Sequence, residues 1–206
     1  MTFLLFVLIQ FSLSAQKGNF SVSKDSSDSE ADTTVNKKDV EIIHADKLQF
    51  YKNKEGQPIR KMIGNVQLKQ DSTYLYCDSA FLMKEKNSVK MYGHVRINDG
   101  DSIEATSKKL EYDGNKQTAK LIGNAVLTDS KMILSSEILY YDKNTGIGYY
   151  LNDGTLVNEE TTLTSKKGYY HSKTSEAFFS DIVHIEDPQY QLDSDTLMFN
   201  TNTKVT

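Results

Sequence analysis

Hydrophobic and polar positions alternate in a short phrase that recurs along the chain. The six copies read ADKLQF at 45–50, DSAFLM at 78–83, SKKLEY at 107–112, SEILYY at 136–141, SKKGYY at 165–170 and SDTLMF at 194–199. The first interval is 33 residues and the next four are 29 each. A fixed period of this size is typical of repeat proteins, in which each unit buries its apolar face against its neighbours.

The fourth and sixth positions of the phrase are apolar, and the position between them varies. These two positions hold Leu48/Phe50, Phe81/Met83, Leu110/Tyr112, Leu139/Tyr141, Gly168/Tyr170 and Leu197/Phe199. Alternation with a period of two predicts a strand with one buried face. We therefore predict that these residues point inward and form a continuous apolar stripe along a stack of repeats.

Two further strands complete each unit. One leads into the phrase, and the other follows it after a polar turn and ends at Gly64, Gly93, Gly123, Asn152 or Asp181. Glycine and asparagine allow a sharp backbone bend, after which another short strand begins. The predicted unit is strand, bend, strand, turn, strand. The predicted fold class is all-β, and no amphipathic helix is expected after residue 16.

The first 39 residues differ from the repeats. Residues 1–15 are strongly apolar and end in small residues, which is typical of a cleavable signal peptide and too short for a membrane span. Residues 16–39 are rich in Ser, Asp, Lys and Thr and are predicted to be a flexible linker. The repeat domain is expected at 40–206. Because the last copy ends before its return strand, we expect a larger parent protein.

Composition excludes several classes of function. The net charge is -4, from 24 basic and 28 acidic residues, so no basic field favours nucleic acid. The single cysteine, Cys77, excludes an internal disulfide framework and is expected to be a buried free thiol. The acidic pairs Asp99/Asp101 and Glu159/Glu160 fall in predicted turns and are expected to be solvated.

No catalytic or metal-binding pattern is present in the sequence. The four histidines, His44, His94, His171 and His184, occupy different repeat positions and lack metal-ligand spacing. No Ser/His/Asp set or phosphate loop occurs. The sequence therefore indicates a protein without a cofactor or enzymatic activity.

A glycine-containing motif accompanies the bends. It reads GNVQL at 64–68, GHVRI at 93–97 and GNAVL at 123–127, and the first phrase lies within HADKLQFYKN at 44–53. With these motifs, residues 40–206 resemble the OstA-like, or LptA-like, family of lipopolysaccharide-transport proteins. The resemblance implies a periplasmic protein with an incomplete β-jellyroll that is open along one side like a folded taco. It also implies an apolar groove for the acyl chains of lipopolysaccharide, and modules joined end to end.

The candidate groove residues are the apolar side chains that the repeat places on the predicted inner face. They are Leu48, Phe50, Met62, Val66, Leu68, Phe81, Met83, Met91, Val95, Ile97, Leu110, Tyr112, Leu121, Leu127, Leu139, Tyr141, Tyr150, Phe179, Leu197 and Phe199. Each buried methylene contributes about 0.8 kcal/mol, so a groove wider than its own side chains could hold acyl chains without a polar pocket. The predicted partners are the lipid A acyl chains and either other bridge components or a second copy, joined through the strands at 192–199 and 40–51.

Two alternatives remain open at this point. A structural or adhesin-like repeat scaffold would have a closed, dry interior and no bound lipid. A β-helix enzyme acting on polysaccharide would need charged residues clustered on an outward face across successive coils. Lys108/Lys109 and Lys166/Lys167 do recur 58 residues apart, but the intervening copy has Glu137 and Ile138 at the equivalent positions.

Overall fold

The computed structural model describes residues 39–100, 103–129 and 132–200. The predicted signal peptide and nearly all of the predicted linker lie outside these residues. Within them the chain forms fourteen strands and a short 3-10 turn at Lys84–Lys86. The strands are β1 (Glu41–His44), β2 (Lys47–Lys52), β3 (Pro58–Gln70), β4 (Thr73–Met83), β5 (Ser88–Asp99), β6 (Ile103–Asp113), β7 (Thr118–Asp129), β8 (Met132–Asp142), β9 (Ile147–Tyr150), β10 (Gly154–Asn158), β11 (Thr161–Ser165), β12 (Lys167–His171), β13 (Glu176–Asp187) and β14 (Tyr190–Asn200).

The strands pair in chain order into one antiparallel sheet. Each long strand from β3 to β8 hydrogen-bonds to the next, and β14 pairs with β13 at the far edge. In the fourth repeat two shorter strands replace each long one, so β8 pairs with both β9 and β10, and β13 pairs with both β11 and β12. At the near edge β1 and β2 both pair with β3.

A line of β-bulges folds this sheet over on itself. The register of β3 against β4 shifts between Ile63 and Val66, and the same shift recurs in the later repeats. Gly64 and Asn65 have φ of 77° and 46°, in the left-handed region that favours glycine. A Cβ on Gly64 would also collide with the carboxylate of Asp46. The predicted bends at Gly64, Gly93, Gly123 and Asp181 are therefore confirmed, and the remaining one falls at Asp153.

The bulge line divides the sheet into two halves that we call leaf A and leaf B. Leaf A contains β2, β9 and β12 and those parts of the long strands that lie on the same side of the bulges as these three strands. Leaf B contains β1, β10 and β11 and the parts of the long strands on the other side of the bulges. The leaves pack face to face: the Cβ position of Gly148 in leaf A lies 3.0 Å from Cδ2 of Leu127 in leaf B. No strand pairing joins the far rims of the leaves within the described residues.

The fold is therefore all-β and built from repeats, as the sequence predicts. On one side the two leaves are not joined by strand pairing within the described residues. One detail of the prediction is wrong: the second copy of the phrase is shifted by one residue. Across the ladder, Ala80 and not Phe81 pairs with Met62 and Met91. The equivalent copy is thus CDSAFL at 77–82, and the first two intervals are 32 and 30 residues rather than 33 and 29.

This shift places two candidate groove residues on the outer face. Phe81 packs edge-on against the half-exposed Tyr92, at 5.8 Å between ring centroids, and Lys61 lies over its ring. Met83 follows Phe81 on the same face, while their neighbours Ala80 and Leu82 are buried. The period-two argument failed because the alternation changes phase at each bulge, so that Cys77 and Ala80, three residues apart, both point inward.

Candidate functional site

Two rows of side chains cross the whole inner face of leaf A. The first row is Leu48, Met62, Ala80, Met91, Leu110, Leu121, Leu139, Tyr150, Gly168, Phe179 and Leu197. The second row is Phe50, Arg60, Leu82, Val89, Tyr112, Ala119, Tyr141, Gly148, Tyr170 and Ala177. Because every strand of leaf A contributes one residue to the first row, this row is as long as leaf A is wide.

Leaf B presents a matching row. It consists of Leu68, Leu75, Ile97, Ala105, Leu127, Leu134, Leu156, Leu163, Ile185 and Leu192. Except at the far end, each of these side chains is buried. The three rows face one another and form a single interior. It is apolar except for Arg60 at the near end, which is half-buried with its guanidinium over the ring of Phe50.

The structure places most of the candidate groove residues in this interior. Those that are buried on the inner face are Met62, Val66, Leu68, Met91, Val95, Ile97, Leu110, Tyr112, Leu121, Leu127, Leu139, Tyr150, Phe179 and Leu197. Tyr141 is half-buried against them. Leu48 and Phe50 belong to the inner rows but are 42% and 69% exposed. The side chain of Phe199 lies outside what the structure describes.

The interior is filled by its own side chains. Between the leaves lies a cavity of about 20 Å³, lined by residues that include Ile97, Tyr112, Leu121, Leu127 and Tyr141. A single water needs roughly 10–15 Å³ of such volume, so the cavity holds about one water and no acyl chain. The inner rows therefore pack against each other in this conformation, and the part of the chain that the structure describes leaves no open groove between them.

Tyr150 shows how closely the interior is packed. It replaces the leucine of the row at β9, and its ring lies against Gly154 and Gly168, which lack side chains of their own. A Cβ on Gly168 would lie 2.6 Å from Cζ of the ring. The hydroxyl is 2.7 Å from Oγ of Ser165. Burial raises the pKa of Tyr150 to about 12.

Polar side chains close the open side, where the rims of the two leaves meet. We call this set of contacts the seam. Tyr112 of leaf A donates to Oε1 of Gln70 in leaf B at 2.6 Å, and Gln70 donates to the carbonyl of Gly114 at 3.0 Å. Tyr170 donates to Asp129 at 3.0 Å. Burial, strengthened by the nearby carboxylate of Asp99, raises the pKa of Tyr112.

Lys143 makes the densest group of seam contacts. Its Nζ lies 2.8 Å from Oδ1 of Asp99, 2.5 Å from Oγ1 of Thr73 and 3.3 Å from Oγ of Ser72. The side chains of Lys143 and Asp99 are only 22% and 12% exposed. The expectation that Asp99 is solvated is therefore wrong, because a turn at the rim of one leaf is covered by the rim of the other.

The leaves meet with a diagonal offset. Six of the seam contacts join residues that are 41 to 47 positions apart in sequence, about one and a half repeats, and Lys143 also reaches Thr73 and Ser72, which are 70 and 71 positions away. One and a half repeats correspond to about three strands, or ~14 Å across the sheet. Strands of the two leaves therefore cross at an angle, as in aligned β-sandwiches.

As a consequence, each end of the stack exposes a different leaf. At the near end leaf B is covered, with Val40 4% exposed and its amide donating to Asn87 at 2.8 Å, whereas Phe50 of leaf A is 69% exposed. At the far end leaf A is covered, with Leu197 7% exposed, whereas Leu192 of leaf B is 39% exposed. The edge strands themselves pair on one side only within the described residues.

The described residues contain no group of His, Cys, Asp and Glu that could hold a metal ion. His94 lies 2.8 Å from Asp78 and His184 lies 2.7 Å from Asp193, both on the exposed outer side of the bends. Cys77 is a buried free thiol, as expected, and burial raises its pKa to about 12. No helix in the described ranges is long and apolar enough to span a membrane.

Comparison with known proteins gives a family and a related structure. A family model described as "OstA-like protein" matches residues 37–195, more than half of the chain. No curated protein matches this chain. The crystal structure of LptH from Pseudomonas aeruginosa is similar, with a TM-score of 0.46 and 16% identity over 61% of this chain and 92% of that chain. Its description is the LptA homologous periplasmic component of a lipopolysaccharide transport device.

Proposed function

The chain belongs to the OstA-like protein family, and from this premise we propose that it is a non-enzymatic periplasmic bridge protein that carries lipopolysaccharide toward the outer membrane. The acyl chains of the lipid would lie between leaf A and leaf B. Residues 1–15 would direct export as a cleaved signal peptide, residues 16–39 would be a linker, and residues 40–206 would form the carrier domain.

The observation that supports this proposal is the continuity of the inner rows. Every strand from β2 to β14 contributes to one of the three rows, so a path that is apolar except for Arg60 at the near end runs across the whole sheet. Each methylene of an acyl chain moved from water into such an environment contributes about 0.8 kcal/mol. A lipid could therefore be held at any position along the rows, which suits carriage better than a single pocket does.

The filled interior favours a second candidate, a structural scaffold that binds no lipid. A cavity of about 20 Å³ is what a closed, dry core contains. The two candidates differ in one respect: a carrier must let its leaves separate, whereas a scaffold keeps them packed.

Site-specific photo-crosslinking separates these candidates. A photoreactive residue at Leu110 or Leu121 on the inner rows is expected to crosslink to lipopolysaccharide in cells. Lys109 and Phe81, which lie on the outer face of the same leaf, serve as matched controls and should give no crosslink. Crosslinks from the outer positions alone, or lipid-free protein by mass spectrometry after extraction, would favour the scaffold.

The partner is proposed to be a second copy or another bridge component, joined end to end. The near end exposes Leu48 and Phe50 of leaf A, and the far end exposes Tyr190 and Leu192 of leaf B. If β14 of one copy pairs with β1 and β2 of the next, the exposed leaf A of one would cover the exposed leaf B of the other. The same diagonal offset would then continue across the joint.

Sedimentation velocity tests the joint. The unmodified chain should associate with increasing concentration, and Phe50→Lys at one end or Leu192→Lys at the other should abolish this association. Lys109→Glu changes a charge in the middle of leaf A and is the matched control. Association that survives both end variants would contradict the proposed joint.

A further inference from the structure

The filled interior raises the question of how a lipid enters it. A lipid with a charged or sugar head cannot pass lengthwise through an interior whose side chains are buried against one another, because a buried charge or polar group without partners is strongly disfavoured. The head must stay in water while the acyl chains lie inside. Only the rim where the leaves meet offers an exit for the head at every point along the rows.

This rim differs chemically from the rest of the interior. Tyr112, Tyr170 and Lys143 of leaf A meet Gln70, Asp129 and Asp99 of leaf B through hydrogen bonds and one ion pair. When the leaves separate, each of these groups can form hydrogen bonds to water in place of the hydrogen bond that it loses across the seam. An apolar rim would lose its contacts without compensation. The seam is therefore the side along which separation is least unfavourable.

The opposite side of the interior is built as a hinge. There the leaves are joined by continuous chain through the bulges, where Gly64, Gly93 and Gly123 have φ of 77°, 75° and 86°. The ladder is interrupted at these points, since the register shifts between Ile63 and Val66. A change in a few backbone angles along this line would move one leaf relative to the other without breaking a strand pair.

We propose that the seam is a gate: the leaves part along the Tyr112–Gln70, Lys143–Asp99 and Tyr170–Asp129 contacts, and acyl chains enter sideways between them. This proposal rests on the proposed function, because it concerns how the same interior takes up lipid. The closed conformation excludes acyl chains, and entry through the ends alone is not sufficient.

The test locks the seam chemically. Ser72 in leaf B and Lys116 in leaf A are exposed residues of two turns that are linked through Asp71 and Gln117, with 3.4 Å between the side chains. The variant Ser72→Cys/Lys116→Cys is made in a Cys77→Ala background, because Cys77 points inward and would become accessible when the leaves part. It is treated with a short bis-methanethiosulfonate reagent, which links the two thiols through reducible disulfide bonds and releases methanesulfinate.

The matched control is Lys90→Cys/Glu111→Cys, treated in the same way. These two residues are register partners on adjacent strands of leaf A, and their side chains are 3.0 Å apart on its outer face. A crosslink there joins two positions of one leaf and does not restrain the other. Uptake of cis-parinaric acid, a fluorescent C18 fatty acid, is measured for the full chain before crosslinking, after it and after cleavage of the linker.

If the seam is the gate, the locked protein binds the probe about tenfold more weakly or worse, because apparent affinity falls with the fraction of molecules that can open. Cleavage restores binding, and the control pair shows no change. Unchanged binding by the locked protein would overturn the gate and leave lipid carriage standing. Absence of binding in every form, the uncrosslinked chain included, would overturn both.

Discussion

The contact between Tyr150 and Gly168 gives the sharpest test of the packing. Gly168→Ala places a methyl group 2.6 Å from Cζ of the Tyr150 ring, whereas carbon atoms in contact lie about 3.5–4.0 Å apart. The ring cannot turn away freely, because Gly154 lies against it as well. Overpacking of this kind costs about 1–3 kcal/mol. A Gly-to-Ala change without a clash would instead stabilise by about 0.4–1 kcal/mol, through lost freedom of the unfolded chain.

The net effect of Gly168→Ala is therefore a loss of about 1–2 kcal/mol in the free energy of unfolding. In a Tyr150→Leu background the clash is absent, so the same change should become neutral or stabilising. Tyr150→Leu itself should cost about 2 kcal/mol or more, because it leaves a gap and removes the hydrogen bond to Ser165. The double-mutant cycle should thus give a coupling of about 1–3 kcal/mol.

Urea unfolding followed by circular dichroism measures these quantities. With a slope of about 1–3 kcal/mol per molar urea, the midpoint for Gly168→Ala should fall by roughly 0.3–2 M. Tyr169→Leu is the matched control, because Tyr169 neighbours Tyr150 in the sheet but is 40% exposed on the outer face. Gly168→Ala should keep its full cost in that background. An equal shift of the midpoint in the Tyr150→Leu and Tyr169→Leu backgrounds would refute the reasoning.

Three further predictions follow from burial. Leu110→Ala on the inner face should lower the unfolding free energy by about 2–5 kcal/mol in the same urea assay, and Phe81→Ala on the outer face should lower it by clearly less. Equal losses would contradict the placement of these two residues on opposite faces of leaf A. Lys143→Met should cost about 1–3 kcal/mol by leaving its carboxylate partner without the ion pair, and an unchanged midpoint would show that the seam adds no stability. Burial raises the pKa of Tyr141 from 10.0 to about 12, so its contribution to stability should be fully present below about pH 10 and be lost as the pH rises toward 12; stability that does not fall between pH 10 and 12 would contradict this.

The repeat and its bends could be read from the sequence because both depend on local chemistry. Alternation of apolar residues determines which face of a strand is buried, and Gly64, Gly93 and Gly123 mark where left-handed backbone is needed. The inner rows follow from these two signals. The error at Phe81 and Met83 arose where the phrase lacks its usual leucine, since Ala80 occupies the inward position there.

The seam could not be predicted because it depends on how the leaves cross. The sequence does contain a signal: Tyr112, Tyr141 and Tyr170 recur every 29 residues, and Asp99 and Asp129 end β5 and β7, the equivalent strands of successive repeats. However, nothing local indicates that a tyrosine of one repeat meets a rim residue 41 or 42 positions earlier. The filled interior also depends on tertiary packing, because Tyr150 occupies space that two glycines leave vacant.

The diagonal offset between the leaves sets a minimum length for this architecture. Partners across the seam are separated by at least 41 residues, whereas one repeat contains 29. A fragment of a single repeat would therefore have two leaves whose rims never meet, and a fragment of two repeats would close only over a short stretch. Every repeat added beyond that supplies one complete set of rim contacts. Shortening the chain from either end should thus weaken it disproportionately, since each lost repeat also uncovers one that remains.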